Sequence, residues 1–165
     1  MMTFSSNPQI DLAYNFVQYT NRNVFLTGKA GTGKTTFLHQ LKSTCFKRMI
    51  VVAPTGVAAL NAGGVTIHSF FQLPFGPIIP QTAQQNSLAG SNQANNAGRM
   101  QYRFSRDKIS IMKSLDLLVI DEISMVRSDL LDGIDSVLRR YKDRSKPFGG
   151  VQLLMIGDLN QLAPV

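Results

Sequence analysis

The sequence has only one cysteine, Cys45, among its 165 residues, so no disulfide bond can form within the chain. Scarcity of cysteine is typical of a reducing intracellular compartment. The first residues, MMTFSSNPQID, lack the basic and then apolar segments of a secretory signal peptide. No apolar run approaches the roughly 20 residues that a membrane-spanning helix needs. We therefore expect a soluble intracellular protein.

Acidic residues are also scarce. The chain has 10 Asp and Glu and 17 Lys and Arg, which gives a formal net charge of +7. This excess favours an acidic partner, most commonly nucleic acid, but a basic domain without any polyanionic partner explains the charge equally well. Hydrophobic residues make up 44% of the chain and charged residues 16%, which is the composition of a folded domain. The length suffices for one domain with a sizeable core.

Charge is absent altogether from residues 72–98, which contain three prolines and then a tract rich in Gln, Asn, Ser, Ala and Gly. This stretch shows no hydrophobic period, so we expect a long surface loop and place a loop insertion at about 72–104 within a single domain, 1–165. The residues at 99–113 are basic. They form either a solvated helix face, which we favour, or one side of a groove for DNA.

Outside this loop, short apolar runs alternate with helical patterns, which favours a parallel α/β sheet. We predict strands at 24–26, 49–53, 115–120 and 151–156, and helices at 9–19, from about 34, at 56–61, at 105–115 and from 128. A further short element is expected at 66–72. The strand at 24–26 should be buried, and Cys45 should lie on a buried helix face. Ser128 should cap the last helix, with Asp129 in its first turn.

The glycine-rich segment at 28–35, GKAGTGKT, matches the pattern G-x-x-x-x-G-K-[ST] of a phosphate-binding loop. Glycines let backbone N–H groups wrap a polyphosphate, and the first amides of the following helix attract anions. Lys34 is expected to reach the outer phosphates of ATP and offset their charge, and the Thr35 hydroxyl to coordinate Mg²⁺. A chance glycine-rich turn is the alternative, but the strand predicted before the loop and the helix predicted after it favour a nucleotide site. The residues expected to contact ATP are Gly28, Ala30, Gly31, Thr32, Gly33, Lys34, Thr35 and Thr36.

Asp121 and Glu122 directly follow the strand predicted at 115–120. Ligands of open α/β sheets bind at the carboxyl ends of the strands, where one carboxylate can hold Mg²⁺ and the next can accept a proton from the attacking water. We therefore assign Asp121 to the metal and Glu122 to the catalytic base, although without the phosphate loop an ordinary acidic turn would be the better interpretation. Gln161, in the polar segment 157–161 after the last predicted strand, would face the same crevice. It would sense the outer phosphate or position the water, although Gly-Asp after a strand is also ordinary turn chemistry.

Five segments extend this pattern along the chain: GKAGTGKTT (28–36), APTGVAALNAGG (53–64), TIHSF (66–70), VIDEISMV (119–126) and GDLNQLAPV (157–165). In residues and in order they resemble the motifs of superfamily-one helicases, and within them those of the PIF (petite integration frequency) family, relatives of the RecD-type helicases. A phosphate loop alone occurs in thousands of proteins. The combination of TGVAA, TIHSF, DEISM and GDxxQL is specific to this group, and the shared motifs run from residue 24 to residue 165.

The resemblance implies a RecA-like fold of the P-loop nucleotide hydrolases, in which a parallel sheet lies between two helical layers. It also implies an enzyme that couples ATP hydrolysis to 5′ to 3′ movement along single-stranded DNA. By the same resemblance, Thr55 and Gly56, and then His68 and Ser69, lie in motifs that touch the DNA strand. Backbone amides and small hydroxyls can grip phosphates without reading sequence. For His68, a hydrogen bond within its own loop is an equal alternative.

The resemblance departs from the family pattern in two places. The family has an adenine-contacting glutamine upstream of the phosphate loop, and we assign this position to Gln9, whose sequence context is unusual, with Asp11 as the alternative. The family motor also has two RecA-like domains, and the second supplies an arginine to the ATP site and half of the DNA track. The 165-residue sequence ends directly after the last of these motifs. We therefore expect this chain to be the first motor domain of a longer helicase, and its partners to be single-stranded DNA and the second domain of the same protein.

Alone, such a fragment should bind nucleotide and hydrolyse it slowly but not unwind DNA. We expect its source to be a bacterial cytoplasm. A function of another class, a nucleotide-dependent DNA-binding or regulatory module that never unwinds DNA, is the alternative. The ATPase rate with and without single-stranded DNA would separate the two.

Overall fold

The structure, a computed structural model, describes residues 7–77 and 104–161, in which strands and helices alternate. The first range contains α1 (Pro8–Tyr19), β1 (Val24–Thr27), α2 (Lys34–Thr44), β2 (Met49–Ala53), α3 (Gly56–Asn61), β3 (Val65–Thr66) and α4 (Ile67–Phe71). The second contains α5 (Arg106–Ser114), β4 (Leu117–Ile120), a 3₁₀ turn (Ile123–Met125), α6 (Ser128–Tyr141), a second 3₁₀ turn (Pro147–Gly150) and β5 (Gln152–Gly157). Within both ranges, every helix is too short or too polar to cross a membrane.

The five strands form one parallel sheet in the order β1-β5-β4-β2-β3. β4 lies at the centre, and all four of its residues are buried. Because the side chains of a strand alternate between the two faces of a sheet, four consecutive buried apolar residues require cover on both sides. Leu117 and Val119 belong to one core cluster, whereas Leu118 and Ile120 belong to the other. The central strand therefore sits between two separate apolar layers.

Helices supply the cover on each face of the sheet. On the face of Leu117, α1 and α2 contribute the buried side chains of Ala13, Val17, Phe37, Leu38 and Leu41. On the face of Leu118, α4, α5 and α6 contribute Ile67, Phe70, Phe71, Met112, Leu130, Ile134, Val137 and Leu138. Each fully buried Leu, Ile or Phe side chain stabilises the fold by about 1.5–3 kcal/mol. This arrangement confirms the predicted three-layer α/β/α fold.

Three expectations about individual elements need correction. β1 is an edge strand in which only alternate residues turn inward, so Phe25 is 43% exposed and the strand is not buried as predicted. Ser128 does not cap α6 but is its first residue, because Arg127 occupies the cap position. Asp129 is in the first turn as expected, and its carboxylate binds the Arg127 guanidinium at 2.9 Å. Cys45 ends α2 and is only half-buried against the apolar cluster of α1 and α2.

The loop insertion predicted at about 72–104 is described only at its two ends, because residues 78–103 lie outside the described ranges. Leu73 and Phe104 are both buried in the apolar cluster that contains α4, α5 and α6. The two ends of the insertion are therefore anchored in the core beside α4. Arg99 and Arg103, two of the five basic residues expected at 99–113, also fall outside the described ranges.

Candidate functional site

The glycine-rich loop connects β1 to α2 at the carboxyl edge of the sheet. Gly31 and Gly33 have φ angles of +78° and +90°, in the left-handed region that favours glycine. A Cβ at either position would meet no atom within 4 Å, so the backbone conformation, and not lack of space, requires glycine there. The Thr32 hydroxyl donates a hydrogen bond to the Lys29 carbonyl at 2.8 Å and tightens the turn.

The amino end of α2 is open toward this loop. Gly33 precedes the helix without any side-chain cap, and no acidic residue lies in the first turn. The first amides of α2 are therefore available to an anion, and the helix dipole favours negative charge at this point. The Lys34 ammonium lies inside the loop, where it donates hydrogen bonds to the carbonyls of Gly28 and, at 3.0 Å, Lys29. A cation and several free N–H groups thus converge where the sequence predicts phosphates.

A pocket of about 280 Å³ opens beside the loop. Its lining residues come from four segments and are Thr35, Thr55, Val57, Ala58, Asn61, Asp121, Glu122, Met125 and Gln161. The structure therefore brings Thr35, Asp121, Glu122 and Gln161 together around one cavity, although they are spread over more than a hundred residues of sequence. Val57, Ala58 and Asn61 were not predicted as site residues, because the motif that contains α3 was assigned to DNA contacts. Met125, in the 3₁₀ turn after Glu122, was not predicted either.

Asp121 and Glu122 occupy a tight turn directly after β4. The Asp121 N–H donates to the Val52 carbonyl at 2.9 Å, and the Glu122 N–H donates to Asp121 Oδ1 at 3.0 Å. Glu122 itself adopts a left-handed conformation with a φ of 53°. Such a conformation is strained by about 1–3 kcal/mol for a residue other than glycine, and strain of this kind clusters at functional sites.

Both carboxyl groups have raised pKa values. Burial raises the pKa of Asp121, while the hydrogen bond from the Glu122 N–H and the Lys34 charge oppose the shift. Burial also raises the pKa of Glu122, and the nearby negative charges of Asp121 and Asp158 raise it further against the Lys34 charge. A carboxylate whose pKa is raised toward neutrality is a stronger proton acceptor, as a general base requires.

Gln161 is oriented by a buried residue that the sequence did not single out. Asp158 is 5% exposed, and its carbonyl and carboxylate accept hydrogen bonds from the backbone N–H groups of Gln161 and Asn160 at 3.1 and 3.0 Å. Its Oδ2 atom also lies 3.4 Å from Gln161 Nε2, a long and weak contact. The spacing Asp-x-x-Gln, three residues apart in a turn, was the available signal for this pairing.

The residues expected at the DNA strand separate into two places. Thr55 caps α3, where its hydroxyl accepts a hydrogen bond from the Ala58 N–H at 3.2 Å, and it lines the pocket together with Glu122. Gly56 is the exposed first residue of α3. His68 and Ser69 lie on α4 and are not among the residues that line the pocket.

Gln9, the residue predicted to contact adenine, is exposed in the first turn of α1. Its backbone N–H donates to Asn7 Oδ1 at 3.1 Å, which caps the helix. Asp11, the alternative, is exposed two residues further along, in the same first turn of the helix. Neither residue is among those that line the pocket, so the adenine assignment stays a prediction.

Comparisons with known proteins show what the chain as a whole is similar to. A family model described as PIF1-like helicase matches residues 9–165. The chain is 36% identical over 148 residues to the ATP-dependent DNA helicase PIF1 of Saccharomyces cerevisiae (strain YJM789), an alignment that covers 87% of this chain and 16% of that protein.

Solved structures give the same result. The crystal structure of Bacteroides sp Pif1 in complex with ADP-AlF4 superimposes with a TM-score of 0.82 at 47% identity, covering 100% of this chain and 34% of that one. The crystal structure of Bacteroides Pif1 bound to ssDNA gives a TM-score of 0.80 at 46% identity, with the same coverage. The chain thus spans about a third of these solved chains and a smaller share of the yeast relative. With the fold, the loop and the carboxylate turn all in place, the chain belongs to the PIF1-like helicase family.

Proposed function

We propose that this chain is the ATP-binding motor domain of a DNA helicase, which in the full-length protein couples ATP hydrolysis to 5′ to 3′ movement along single-stranded DNA. One observation carries the proposal: Thr35, Asp121, Glu122 and Gln161 line a single pocket beside a phosphate-binding loop. The names of the relatives, which are ATP-dependent DNA helicases, support it. So do the related structures that hold ADP-AlF4 and single-stranded DNA.

The donor atoms at the pocket suit ATP with Mg²⁺. Magnesium prefers oxygen ligands and takes only one or two from the protein, because phosphates and water supply the rest. Thr35 and Asp121 offer a hydroxyl and a carboxylate, and no group of three His, Cys, Asp or Glu forms a denser metal site within the described ranges. When bound, Mg²⁺ would neutralise the charge that develops on the transferred phosphate.

Three side chains of this chain have separate roles in hydrolysis. Lys34 exchanges its hydrogen bonds with the loop carbonyls for the outer phosphates and offsets their charge. Glu122, with its raised pKa, accepts the proton of the attacking water. Gln161, held by Asp158, orients that water or contacts the outer phosphate. The other predicted contacts, Gly28, Ala30, Gly31, Thr32, Gly33 and Thr36, bind the phosphates through their backbone.

Thr55 connects the nucleotide pocket to α3, whose first residues are expected to contact DNA. It lines the pocket with Glu122 and also fixes the first turn of α3, so a change at the outer phosphate can move that helix. Gly56 and Ser69 complete the proposed contacts with the single strand, and His68 lies beside Ser69 on α4. The second RecA-like domain of the same protein supplies the missing arginine and the other half of the track.

The test is the ATPase rate of the full-length protein with and without single-stranded DNA. We expect strong stimulation by DNA, because hydrolysis is coupled to movement along the strand. An unchanged rate would contradict the motor function. The 165-residue chain alone should bind nucleotide and turn over slowly, since an arginine finger raises the rate about a thousandfold or more.

A further inference from the structure

The chain leaves α4 in a conformation that displays one aromatic ring. Gln72 ends the helix with a φ of 52° and reverses the chain direction. Leu73 then turns into the core, where it is 4% exposed. Phe75 points outward and is 84% exposed, the highest value for any large apolar side chain in the described ranges. The segment is thus anchored by Leu73, and two residues later it exposes the Phe75 ring.

Neighbouring residues hold this ring in place. Phe75 stacks on the imidazole of His68, with the ring centroids 4.6 Å apart and the planes 18° from parallel. The next residue, Gly76, accepts a hydrogen bond through its carbonyl from Arg127 Nη2 at 3.1 Å. Arg127 is itself fixed by two hydrogen bonds to Asp129, at 2.9 and 3.0 Å. One face of the ring is therefore covered by His68, and the segment that carries it is anchored on both sides.

Two basic side chains bond to the segments that carry Phe75 and His68. The Arg127 guanidinium donates to the carbonyl of Gly76, the residue after Phe75. Lys108 Nζ donates a hydrogen bond at 2.8 Å to the carbonyl of Ser69, the residue after His68 on α4. Lys108 Nζ also lies 5.7 Å from the centre of the Phe70 ring. Burial and the Arg127 charge lower the pKa of His68, so its imidazole is neutral near pH 7 and stacks without a charge of its own. Rigid aromatic rings flanked by cations are the elements with which proteins bind single-stranded nucleic acid.

We propose that Phe75 is a stacking platform for one base of a bound single strand, and that His68 positions this ring from behind instead of touching the strand. The inference rests on the proposed DNA-binding function and adds to it a base contact and a different role for His68. It explains why one face of the His68 imidazole is already occupied. The platform binds any base, because every base has a π-face, and it adds no sequence preference.

Equilibrium binding of fluorescein-labelled oligothymidylate to the full-length protein, followed by anisotropy, tests this proposal. Phe75→Ala should weaken binding by about 5- to 150-fold, the factor expected from the loss of one base–aromatic stack. Phe75→Tyr keeps the stacking ring and should retain most of the affinity. Phe46→Ala is the matched control, because Phe46 is also 70% exposed but precedes β2 at the opposite edge of the sheet. This control should bind as the unmodified protein does.

An oligonucleotide of the same length with abasic residues separates stacking from backbone contacts. The loss caused by Phe75→Ala should disappear on this strand, because it offers no base to stack. An equal loss on both strands, or no loss on either, would overturn the proposal while leaving DNA binding intact. If the unmodified protein bound neither strand, the proposed DNA-binding function itself would fail, and Phe75 would belong to a surface for another class of partner.

The role of His68 is tested in the same assay. If His68 acts only by holding the ring, His68→Ala should weaken binding in the unmodified protein but have no further effect in the Phe75→Ala variant. Independent losses that add in the double variant would show that His68 contacts the strand directly. That result would overturn the positioning role.

Discussion

Gly157, the last residue of β5, lies against the turn that follows Glu122, and a single methyl group there should disturb Glu122. The Cβ of an alanine at this position would lie 2.9 Å from Ile123 Cγ2 and 3.3 Å from the backbone N atoms of Ile123 and Ser124. Carbon atoms pack best at about 3.5–4.0 Å, so Gly157→Ala requires the turn after Glu122 to move by about 0.6–1.1 Å. Glu122 immediately precedes that turn and would move with it.

The size of the effect follows from this displacement. A misplacement of about 1 Å in an active site lowers the rate about 100-fold. Overpacking of a buried position lowers the free energy of unfolding by about 1–3 kcal/mol. The new methyl group does not have Lys34 or Thr35 among its nearest contacts, so the affinity for nucleotide should change far less than kcat.

The assay compares DNA-stimulated kcat, the Kd of a fluorescent ADP analogue and the urea midpoint of the full-length protein. Ile123→Ala removes the Cγ2 atom that the new methyl group meets, so the double variant Gly157→Ala/Ile123→Ala should turn over faster than Gly157→Ala alone, with Ile123→Ala as the reference. A normal kcat for Gly157→Ala, or a double variant no faster than the single one, would refute the steric coupling between β5 and the turn that follows Glu122.

The remaining predictions concern charge at the site. Lys34→Ala should abolish binding of the fluorescent ADP analogue, whereas Lys113→Ala, an exposed lysine on α5, should bind normally; retained affinity in Lys34→Ala would contradict the role of the loop. Asp158→Asn removes one of the negative charges that raise the pKa of Glu122. Because the base works only when deprotonated, the loss of kcat on acidification should begin at lower pH in this variant. If kcat falls at the same acidic pH in Asp158→Asn as in the unmodified protein, Glu122 is not the group whose protonation causes the fall.

Much of the fold was predictable because its signals are local. The apolar run at 117–120 marks β4 as a strand, and Leu130, Ile134, Val137 and Leu138 repeat at helical spacing along α6. β3 was missed because two residues, Val65 and Thr66, are too few to show a period. The burial of β1 was wrong for a different reason, since an apolar run does not reveal whether its strand lies at the edge of a sheet.

The parts of the candidate site that lie within one short sequence motif were predictable. The phosphate loop needs glycine for its φ angles, and Asp121 and Glu122 follow their strand directly, so both can be located in sequence. The contact of Phe75 with His68 could not be assigned this way, because ring stacking depends on how separate segments pack. The spacing of Asp158 and Gln161 is a local signal, but the burial of Asp158 is not visible in the sequence. The assignments of Gln9 and of the bacterial source stay predictions.

The central claim is that this pocket hydrolyses ATP with Glu122 as the base, and Glu122→Gln tests it most directly. Glutamine has nearly the same shape but cannot accept the proton, and removal of a general base lowers turnover by about 10²–10⁴-fold. In the full-length protein with single-stranded DNA, we predict that Glu122→Gln binds the fluorescent ADP analogue with normal affinity and loses kcat by this factor. Hydrolysis at the normal rate would contradict the account.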